Sequence, residues 1–523
     1  MLFNSPQFIF FFLPVTFIVY TLLDRRGLGF AARLWLVASS IFFYGWWNIA
    51  YLPLLVGSVL VNFGIGTQLN SATTRHKHAY RKALLAAGIA ANLALLAYFK
   101  YADFLIGNLN TLVDSDYSLP KIVLPLAISF FTFQQIAYLV DNYHTEAREQ
   151  SFVNYALFIS FFPQLIAGPI VHHKEMMPQF GFRPGMQQRY RNISLGLFIF
   201  SIGLFKKAIL ADTFAQWATL GFDEKSTLGF LEAWITSFSY TFQLYFDFSG
   251  YTDMAIGAAL LFNIKLPINF NSPYKALTIQ DFWRRWHMTL SHFLRDYLYI
   301  PLGGNRYSQW RTCINLMITF ILGGLWHGAG WMFVCWGALH GAALVIHRLW
   351  QKLGYKLPTV LGWALTFNFV NFAWIFFRAK DMEDALKVIR AMFSASPGPI
   401  VGELFSVARY LPASKAAGSA APCKRNPRSS FHYLAGGRVG HRPAVSQLLR
   451  TRIWRDARQG TGTDRVCIRG LRRCGGHIDD DLFRIHLLQL LANALTILQI
   501  GHHCFSGVAL HVRVAAPGGV HHV

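Results

Sequence analysis

A histidine lies in the middle of a long uncharged part of the chain. His327 occurs in GGLWHGAGW (323–331), and no Asp, Glu, Lys or Arg lies between Arg311 and Arg348. An ionisable side chain in a membrane segment usually faces a cavity or a partner and tends to be functional. With an ordinary pKa of about 6.5, an imidazole can accept the proton of a hydroxyl group and return it to a leaving group. His327 is therefore a candidate general base.

A second histidine, His287, lies in the polar segment DFWRRWHMTLSHFLRD (281–296). Apolar side chains recur in this segment at helical spacing, and its arginines and Asp296 lie elsewhere around the wheel. The apolar positions are Trp283, Trp286, Leu290, Phe293 and Leu294. The pattern predicts an amphipathic helix that lies at the membrane interface or dips into the protein from the cytoplasmic side. His287 is either a second functional histidine or a residue that supports helix packing.

Two aspartates and four glycines are further candidate site residues. Asp247 and Asp253 lie in or beside an apolar stretch, where they either orient the polar helix, line a pore or form structural ion pairs. Four glycines flank His327 and either admit a substrate chain or allow close helix packing. They are Gly323, Gly324, Gly328 and Gly330.

Other classes of chemistry have no support in the sequence. The adjacent residues His172 and His173 point apart on a helix, and the six cysteines lack metal-ligand spacing, so no metal site is expected. The chain has no GxSxG motif and no Walker loop. The sequence therefore gives no indication of a serine hydrolase or a nucleotide-driven pump.

The composition is typical of a membrane protein. Hydrophobic residues make up 54% of the 523 residues, 47 residues are phenylalanine, and 14% are charged. Successive apolar runs predict an all-α, multi-pass transmembrane bundle of about ten spans, with one or two re-entrant or interfacial segments. They are 8–23, 31–50, 52–69, 83–99, 122–140, 193–211, 227–246, 252–264, 313–326, 331–347 and 358–377.

The net charge of +23 is explained by membrane topology and does not indicate nucleic-acid binding, because the basic residues are dispersed between apolar segments. Basic residues follow the first and third runs, at 25–33 and 75–82, with two crossings between them. Both basic loops are therefore expected in the cytoplasm, and the N-terminus outside.

Residues 394–523 differ from residues 1–393. They contain 15 arginines, 2 lysines and 9 of the 19 histidines, but none of the 10 methionines. Stretches such as RGLRRCGGHIDDD have neither helical nor strand periodicity. We interpret 394–523 as an atypical basic tail that either follows a frameshift between about 395 and 425 or is disordered. A frameshift would put the activity of this product in doubt.

The order of motifs in 1–393 resembles the membrane-bound O-acyltransferase family, and more narrowly its bacterial branch typified by the membrane subunit of alginate O-acetylation. The motifs that carry this resemblance are MLFNSPQFIFFFLP, FFPQLIAGPI, FDFSGYTDMAIG, DFWRRWHMTLSHFLRDYLYIPLGGN and GGLWHGAGW. The resemblance implies a helical fold with a central tunnel, in which a cytoplasmic acyl donor meets an extracytoplasmic acceptor.

The same resemblance implies roles for particular residues. His327 matches the family's hallmark histidine and His287 its second active-site histidine, so both are expected to be catalytic. Trp326 and Trp331 are expected to keep His327 dry, and Asp247 and Asp253 to line or support the tunnel.

The activity expected from the resemblance is acetyl transfer across the bacterial inner membrane to an exported, alginate-like polysaccharide. Acetyl-CoA is the expected donor with no bound cofactor, and an extracytoplasmic acetyltransferase is the expected partner protein. The alternatives are D-alanyl transfer to a cell-wall polymer and, from another class, a transporter or channel without catalysis.

Overall fold

The computed structural model describes residues 1–394 except 72, 73, 75, 119–121, 145–150 and 183. These residues form eighteen α-helices and contain no strand. The helices are α1 Leu13–Arg25, α2 Gly29–Gly45, α3 Leu52–Asn70, α4 His78–Leu96, α5 Ala102–Val113, α6 Ile128–His144, α7 Phe152–Ser160, α8 Phe162–Leu165, α9 His173–Met176, α10 Met186–Phe205, α11 Asp212–Thr219, α12 Phe230–Leu261, α13 Ile279–Arg285, α14 Met288–Leu294, α15 Gln309–His327, α16 Trp331–Lys352, α17 Thr359–Arg378 and α18 Met382–Met392. The predictions for 394–523 concern residues that, apart from Ser394, lie outside the described part of the chain.

Short 3₁₀ and π-helical turns connect several of these helices into longer helical segments. The π-helical turns are Phe8–Phe12, Ala97–Tyr101, Lys206–Ala211, Leu220–Glu224 and Arg295–Tyr299, and the 3₁₀ turns are Ile49–Tyr51, Met177–Gly181 and Pro273–Lys275. A π-helical turn accommodates one extra residue and redirects the side chains that follow it. Two of these turns, Ala97–Tyr101 and Lys206–Ala211, contain the lysines Lys100, Lys206 and Lys207, which are discussed below.

The multi-pass helical prediction is confirmed. Within the described residues, six continuous helical segments are long and apolar enough to cross a membrane, and the shorter apolar helix Gly29–Gly45 accompanies them. The six segments are Phe8–Arg25, Ile49–Asn70, His78–Val113, Met186–Glu224, Trp331–Lys352 and Thr359–Arg378. Six is fewer than the expected ten. The apolar runs 227–246 and 252–264 form one 32-residue helix, α12, which is not one of the six segments.

The α12 helix lies directly against α10 because glycines face each other along the contact. A Cβ atom at Gly257 would lie 2.5 Å from the carbonyl oxygen of Gly196. A Cβ atom at Gly250 would lie 2.8 Å from the carbonyl oxygen of Gly203. Neither distance is possible for a real side chain, so any larger residue would force the two helices apart. This close approach fixes α12, which carries one wall of the site described below.

The prediction of one amphipathic helix over 281–296 is wrong. The segment forms two short helices, α13 and α14, which are separated at His287, where φ is +43°. The backbone turns there because the amide groups of Met288 and Thr289 both bond to Asn269, the first to its backbone oxygen and the second to its side-chain oxygen. The predicted apolar face is buried nevertheless, since Trp283, Trp286, Leu290 and Leu294 are all buried.

Candidate active site

A cavity of about 280 Å³ holds both candidate histidines. His327 enters it from the end of α15, and His287 from the break between α13 and α14. Two further polar side chains line it, Lys100 from the π-helical turn after α4 and Ser129 from α6. The other twelve lining residues are apolar or aromatic, and half of them are aromatic: Phe130, Phe248, Trp286, Trp326, Trp374 and Phe377. The cavity therefore combines titratable groups with walls that exclude water.

Aromatic contacts on three sides hold the ring of His327. Its centroid lies 4.8 Å from that of Trp326, 5.1 Å from that of Trp336 and 5.1 Å from that of Phe377, all with edge-to-face geometry. α15 ends at this residue, and Gly328 continues in an extended conformation. The ring is only partly buried, so its nitrogens remain available to a molecule in the cavity.

A hydrogen bond from Nδ1 holds the ring of His287. Its Nδ1 lies 3.1 Å from Oδ1 of Asn269, and both residues are 1% exposed. The same Oδ1 accepts the backbone N–H of Thr289 at 3.2 Å, which identifies this atom as the oxygen of the Asn269 amide. Because an oxygen can only accept, Nδ1 of a neutral His287 must carry the proton. Its Nε2 is then an unprotonated acceptor, and it has no partner within the described residues.

Thr289 extends this network to a third chain segment. Its Oγ1 donates to Oδ1 of Asn269 at 3.0 Å and accepts the backbone N–H of Ile170 at 3.0 Å. All three side chains are buried. The loop at Asn269, the start of α14 and the segment before α9 are therefore locked together around His287. This arrangement suits a group that must hold one tautomer during a proton transfer.

Comparison with known proteins identifies the family of this chain. A family model described as MBOAT, membrane-bound O-acyltransferase family, matches residues 142–380, which include both histidines. The chain is 53% identical to the peptidoglycan O-acetyltransferase of Helicobacter pylori, over 75% of this chain and 80% of that protein. This chain belongs to the membrane-bound O-acyltransferase family.

Two other curated relatives show the range of this family. The chain is 40% identical to a probable alginate O-acetylase of Pseudomonas aeruginosa, over 75% of each chain. It is 28% identical to the teichoic acid D-alanyltransferase of Bacillus subtilis, over 49% of this chain and 69% of that protein. The membrane-bound O-acyltransferase prediction is thus confirmed, and the family assignment favours an enzyme over a transporter or channel.

The two tryptophans beside His327 in this acyltransferase have different surroundings. Trp326 is buried and lies between the histidines, with ring centroids 6.2 Å from His287 and 4.8 Å from His327. Trp331 does not line the cavity and is 59% exposed. Its Nε1 donates to Oδ1 of Asn108 at 2.9 Å. The structure thus brings Trp326 to the site and directs Trp331 towards α5.

Asp247 and Asp253 lie outside the cavity and form ion pairs between helices. Oδ2 of Asp253 accepts from Nζ of Lys206 at 2.6 Å, and Asp247 accepts a very short hydrogen bond from Lys207. The two lysines begin the π-helical turn Lys206–Ala211, which faces α12. Of the interpretations left open by the sequence, the observed contacts correspond to structural ion pairs.

Two of the four glycines around His327, Gly324 and Gly328, allow close packing between the end of α15 and α16. A Cβ atom at Gly324 would lie 2.2 Å from the carbonyl oxygen of Phe333, and one at Gly328 would lie 2.0 Å from the ring of Phe333. Gly330 is different, since its Cβ would meet the nearest atom at an ordinary 3.8 Å. A Cβ atom at Gly323 would lie 3.3 Å from the side chain of Leu294. The room at Gly324 and Gly328 is therefore already filled by protein.

The adjacent histidines His172 and His173 point to different neighbours. The ring of His172 lies 3.3 Å from the hydroxyl of Tyr297, and Nδ1 of His173 lies 3.5 Å from a carboxylate oxygen of Asp141. Within the described residues, no three His, Cys, Asp or Glu side chains are grouped so that they could hold a metal ion.

Sequence reasoning missed three residues of this site: Lys100, Ser129 and Asn269. Lys100 had a usable signal, because it is a charged residue inside the long apolar segment His78–Val113. Ser129 and Asn269 had none. The importance of Asn269 in particular depends on contacts with residues eighteen and twenty positions further along the chain.

Proposed function

We propose that this membrane acyltransferase moves acetyl groups from acetyl-CoA in the cytoplasm towards a glycan outside the bacterial inner membrane. The observation that carries the proposal is one cavity with mostly apolar walls that contains His327 together with His287 in a single tautomer. The relatives named for O-acetyl transfer support acetyl over other acyl groups, because their identity to this chain is far higher than that of the D-alanyltransferase.

The chemistry that we propose uses His327 as the general base. As a hydroxyl oxygen of the acceptor attacks the thioester carbonyl, a nitrogen of His327 takes the hydroxyl proton and later returns it to the leaving thiolate. His287 orients a different N–H or O–H group of the bound substrates, because its Nε2 can only accept a hydrogen bond while Nδ1–H is held by Asn269, and the single proton of the reacting hydroxyl goes to His327. The aromatic walls exclude water, which would otherwise hydrolyse the thioester.

The first acceptor that we propose is a hydroxyl of a separate extracytoplasmic acetyltransferase, which completes transfer to the glycan. Peptidoglycan is the first candidate glycan, because the relative named for it is 53% identical to this chain. An exported, alginate-like polysaccharide is the second candidate, supported by 40% identity to a probable alginate O-acetylase. No resident cofactor takes part in the proposed reaction.

Ester-linked acetate in the cell envelope tests this proposal. In a strain that lacks the gene, the wild-type chain is expected to restore alkali-labile acetate on peptidoglycan, and the His327→Ala chain is not. Acetate restored only on an exported polysaccharide would select the second glycan. Restoration of D-alanyl esters, or of no ester on any envelope polymer by well-inserted wild-type protein, would contradict acetyl transfer.

A further inference from the structure

Lys100 lies in the same cavity as the two histidines and was assigned no role above. It belongs to the π-helical turn Ala97–Tyr101, inside the candidate membrane span His78–Val113. Its Nζ donates to Oγ of Ser129 at 3.1 Å and makes a very short contact with the backbone oxygen of Trp326. Trp326 directly precedes His327, so the ammonium group lies next to the backbone of the candidate base.

The charge of Lys100 is not compensated by a carboxylate within the described residues. Lys206 and Lys207, which also lie in a candidate membrane span, each pair with an aspartate of α12. No carboxylate lines the cavity around Lys100, and its polar partners there are a hydroxyl and a carbonyl. A charged group in a membrane segment is costly and normally has an ionic partner or a functional one. The contrast with Lys206 and Lys207 indicates that the partner of Lys100 is a substrate group.

We propose that Lys100 is a catalytic residue whose ammonium group binds the carbonyl oxygen of the acyl group and stabilises the oxyanion that forms on it. The role follows from the position of the charge, because an acyl transfer builds negative charge on the carbonyl oxygen close to the base that activates the nucleophile. This proposal rests on the acyl transfer from a thioester proposed above and adds the group that neutralises its transition state.

The step balances without any further reactant. The acceptor oxygen bonds to the carbonyl carbon while His327 takes its proton, and the carbonyl π electrons move to the oxygen next to Lys100. The tetrahedral oxyanion then collapses, the carbon–sulfur bond breaks, and the thiolate takes the proton from His327. Lys100 stays protonated throughout, with one N–H on Ser129, one on the Trp326 carbonyl and its third N–H available to the oxyanion.

A purely structural role makes a different prediction, and two substitutions separate the roles. Lys100→Gln keeps a hydrogen-bond donor but removes the charge, whereas Lys100→Arg keeps the charge. If Lys100 only anchors the end of α15, Lys100→Gln and Lys100→Arg should lower kcat to the same extent, and the loss should follow a lowered Tm. If it stabilises an oxyanion, Lys100→Gln should lower kcat by about 10²–10³-fold, the range found on removal of one oxyanion donor, with little change in KM for the donor.

The experiment measures transfer of labelled acetyl groups from acetyl-CoA by purified full-length protein in liposomes, with the extracytoplasmic acetyltransferase added as acceptor, together with apparent Tm. We expect the kcat of Lys100→Arg to be at least about tenfold higher than that of Lys100→Gln, at similar Tm. The reason is that Arg keeps the positive charge, which provides most of the stabilisation of the oxyanion. Lys82→Met, an exposed lysine substitution on α4, is the matched control and should behave as wild type.

Two results would overturn the role of Lys100. One is a Lys100→Gln protein with wild-type kcat, and the other is equal loss in the Gln and Arg proteins together with lowered Tm. If either occurs while His327→Ala remains inactive, only the Lys100 proposal fails. If His327→Ala transfers acetyl groups as well as wild type, the proposed function fails and takes the oxyanion role with it.

Discussion

Replacing Asn269 with alanine tests how the site is held together. Oδ1 of Asn269 accepts three hydrogen bonds, from the amide of Thr289 at 3.2 Å, its hydroxyl at 3.0 Å and Nδ1 of His287 at 3.1 Å. A buried hydrogen bond contributes about 0.5–1.5 kcal/mol net, and three such bonds give about 3 kcal/mol. Because Asn269 is 1% exposed, water cannot replace the lost acceptor without repacking. We therefore expect Asn269→Ala to lower the free energy of unfolding by about 3 kcal/mol.

The same substitution should lower activity by more than its effect on folding. Without Oδ1, the ring of His287 can change tautomer and rotate, so kcat for acetyl transfer should fall at least about tenfold, within the range attributed to positioned proton-transfer groups. The assay is kcat per folded molecule, with folded protein counted by size-exclusion chromatography and apparent Tm. Asn269→Asp keeps an acceptor oxygen and should retain more activity than Asn269→Ala.

Asn192 provides the matched control for this prediction. It is buried in α10, 4% exposed, and its amide bonds to Gln188 at 2.7 Å and Asn263 at 3.2 Å, outside the cavity. Asn192→Ala should lower Tm but leave kcat per folded molecule unchanged. Equal loss of kcat in both alanine proteins, or wild-type kcat and Tm in Asn269→Ala, would refute the reasoning that Asn269 acts through His287.

Three further predictions concern stability, each checked by apparent Tm with kcat measured in parallel. His287→Gly should be about 1 kcal/mol more stable than His287→Ala, because φ is +43° there, and both should be inactive. Gly324→Ala should cost about 1–3 kcal/mol, since its Cβ would lie 2.2 Å from a carbonyl oxygen of α16, whereas Gly330→Ala should be tolerated. Asp253→Asn should cost about 1–2 kcal/mol by leaving Lys206 unpaired, yet keep kcat per folded molecule. Equal Tm for His287→Gly and His287→Ala, or for Gly324→Ala and Gly330→Ala, would contradict the corresponding prediction. A loss of kcat in Asp253→Asn would contradict a purely structural role for that ion pair.

The helical class and the candidate histidines were predictable because they depend on local properties of the sequence. Apolar runs long enough to span a bilayer indicate membrane helices directly. An uncharged stretch that contains His327 likewise marks an ionisable group that needs a cavity.

The break at His287 was not predictable, because helical periodicity continues through 281–296 and the turn is imposed by Asn269 from another segment. The contact of Lys100 with the backbone before His327 joins residues 226 positions apart, which no local pattern encodes. For Asp247 and Asp253, the sequence identified unusual charges but could not choose between a pore and ion pairs. The π-helical turn that presents Lys206 and Lys207 to α12 decides which contacts they make.

The most direct test of the central claim measures transfer of labelled acetyl groups from acetyl-CoA to the added extracytoplasmic acetyltransferase by the purified protein in liposomes. The rate is compared between wild type and His327→Ala. If His327 is the general base, the substituted protein should keep its apparent Tm and lose about 10²–10⁴-fold in kcat. A His327→Ala protein that transfers acetyl groups at the wild-type rate would contradict the account.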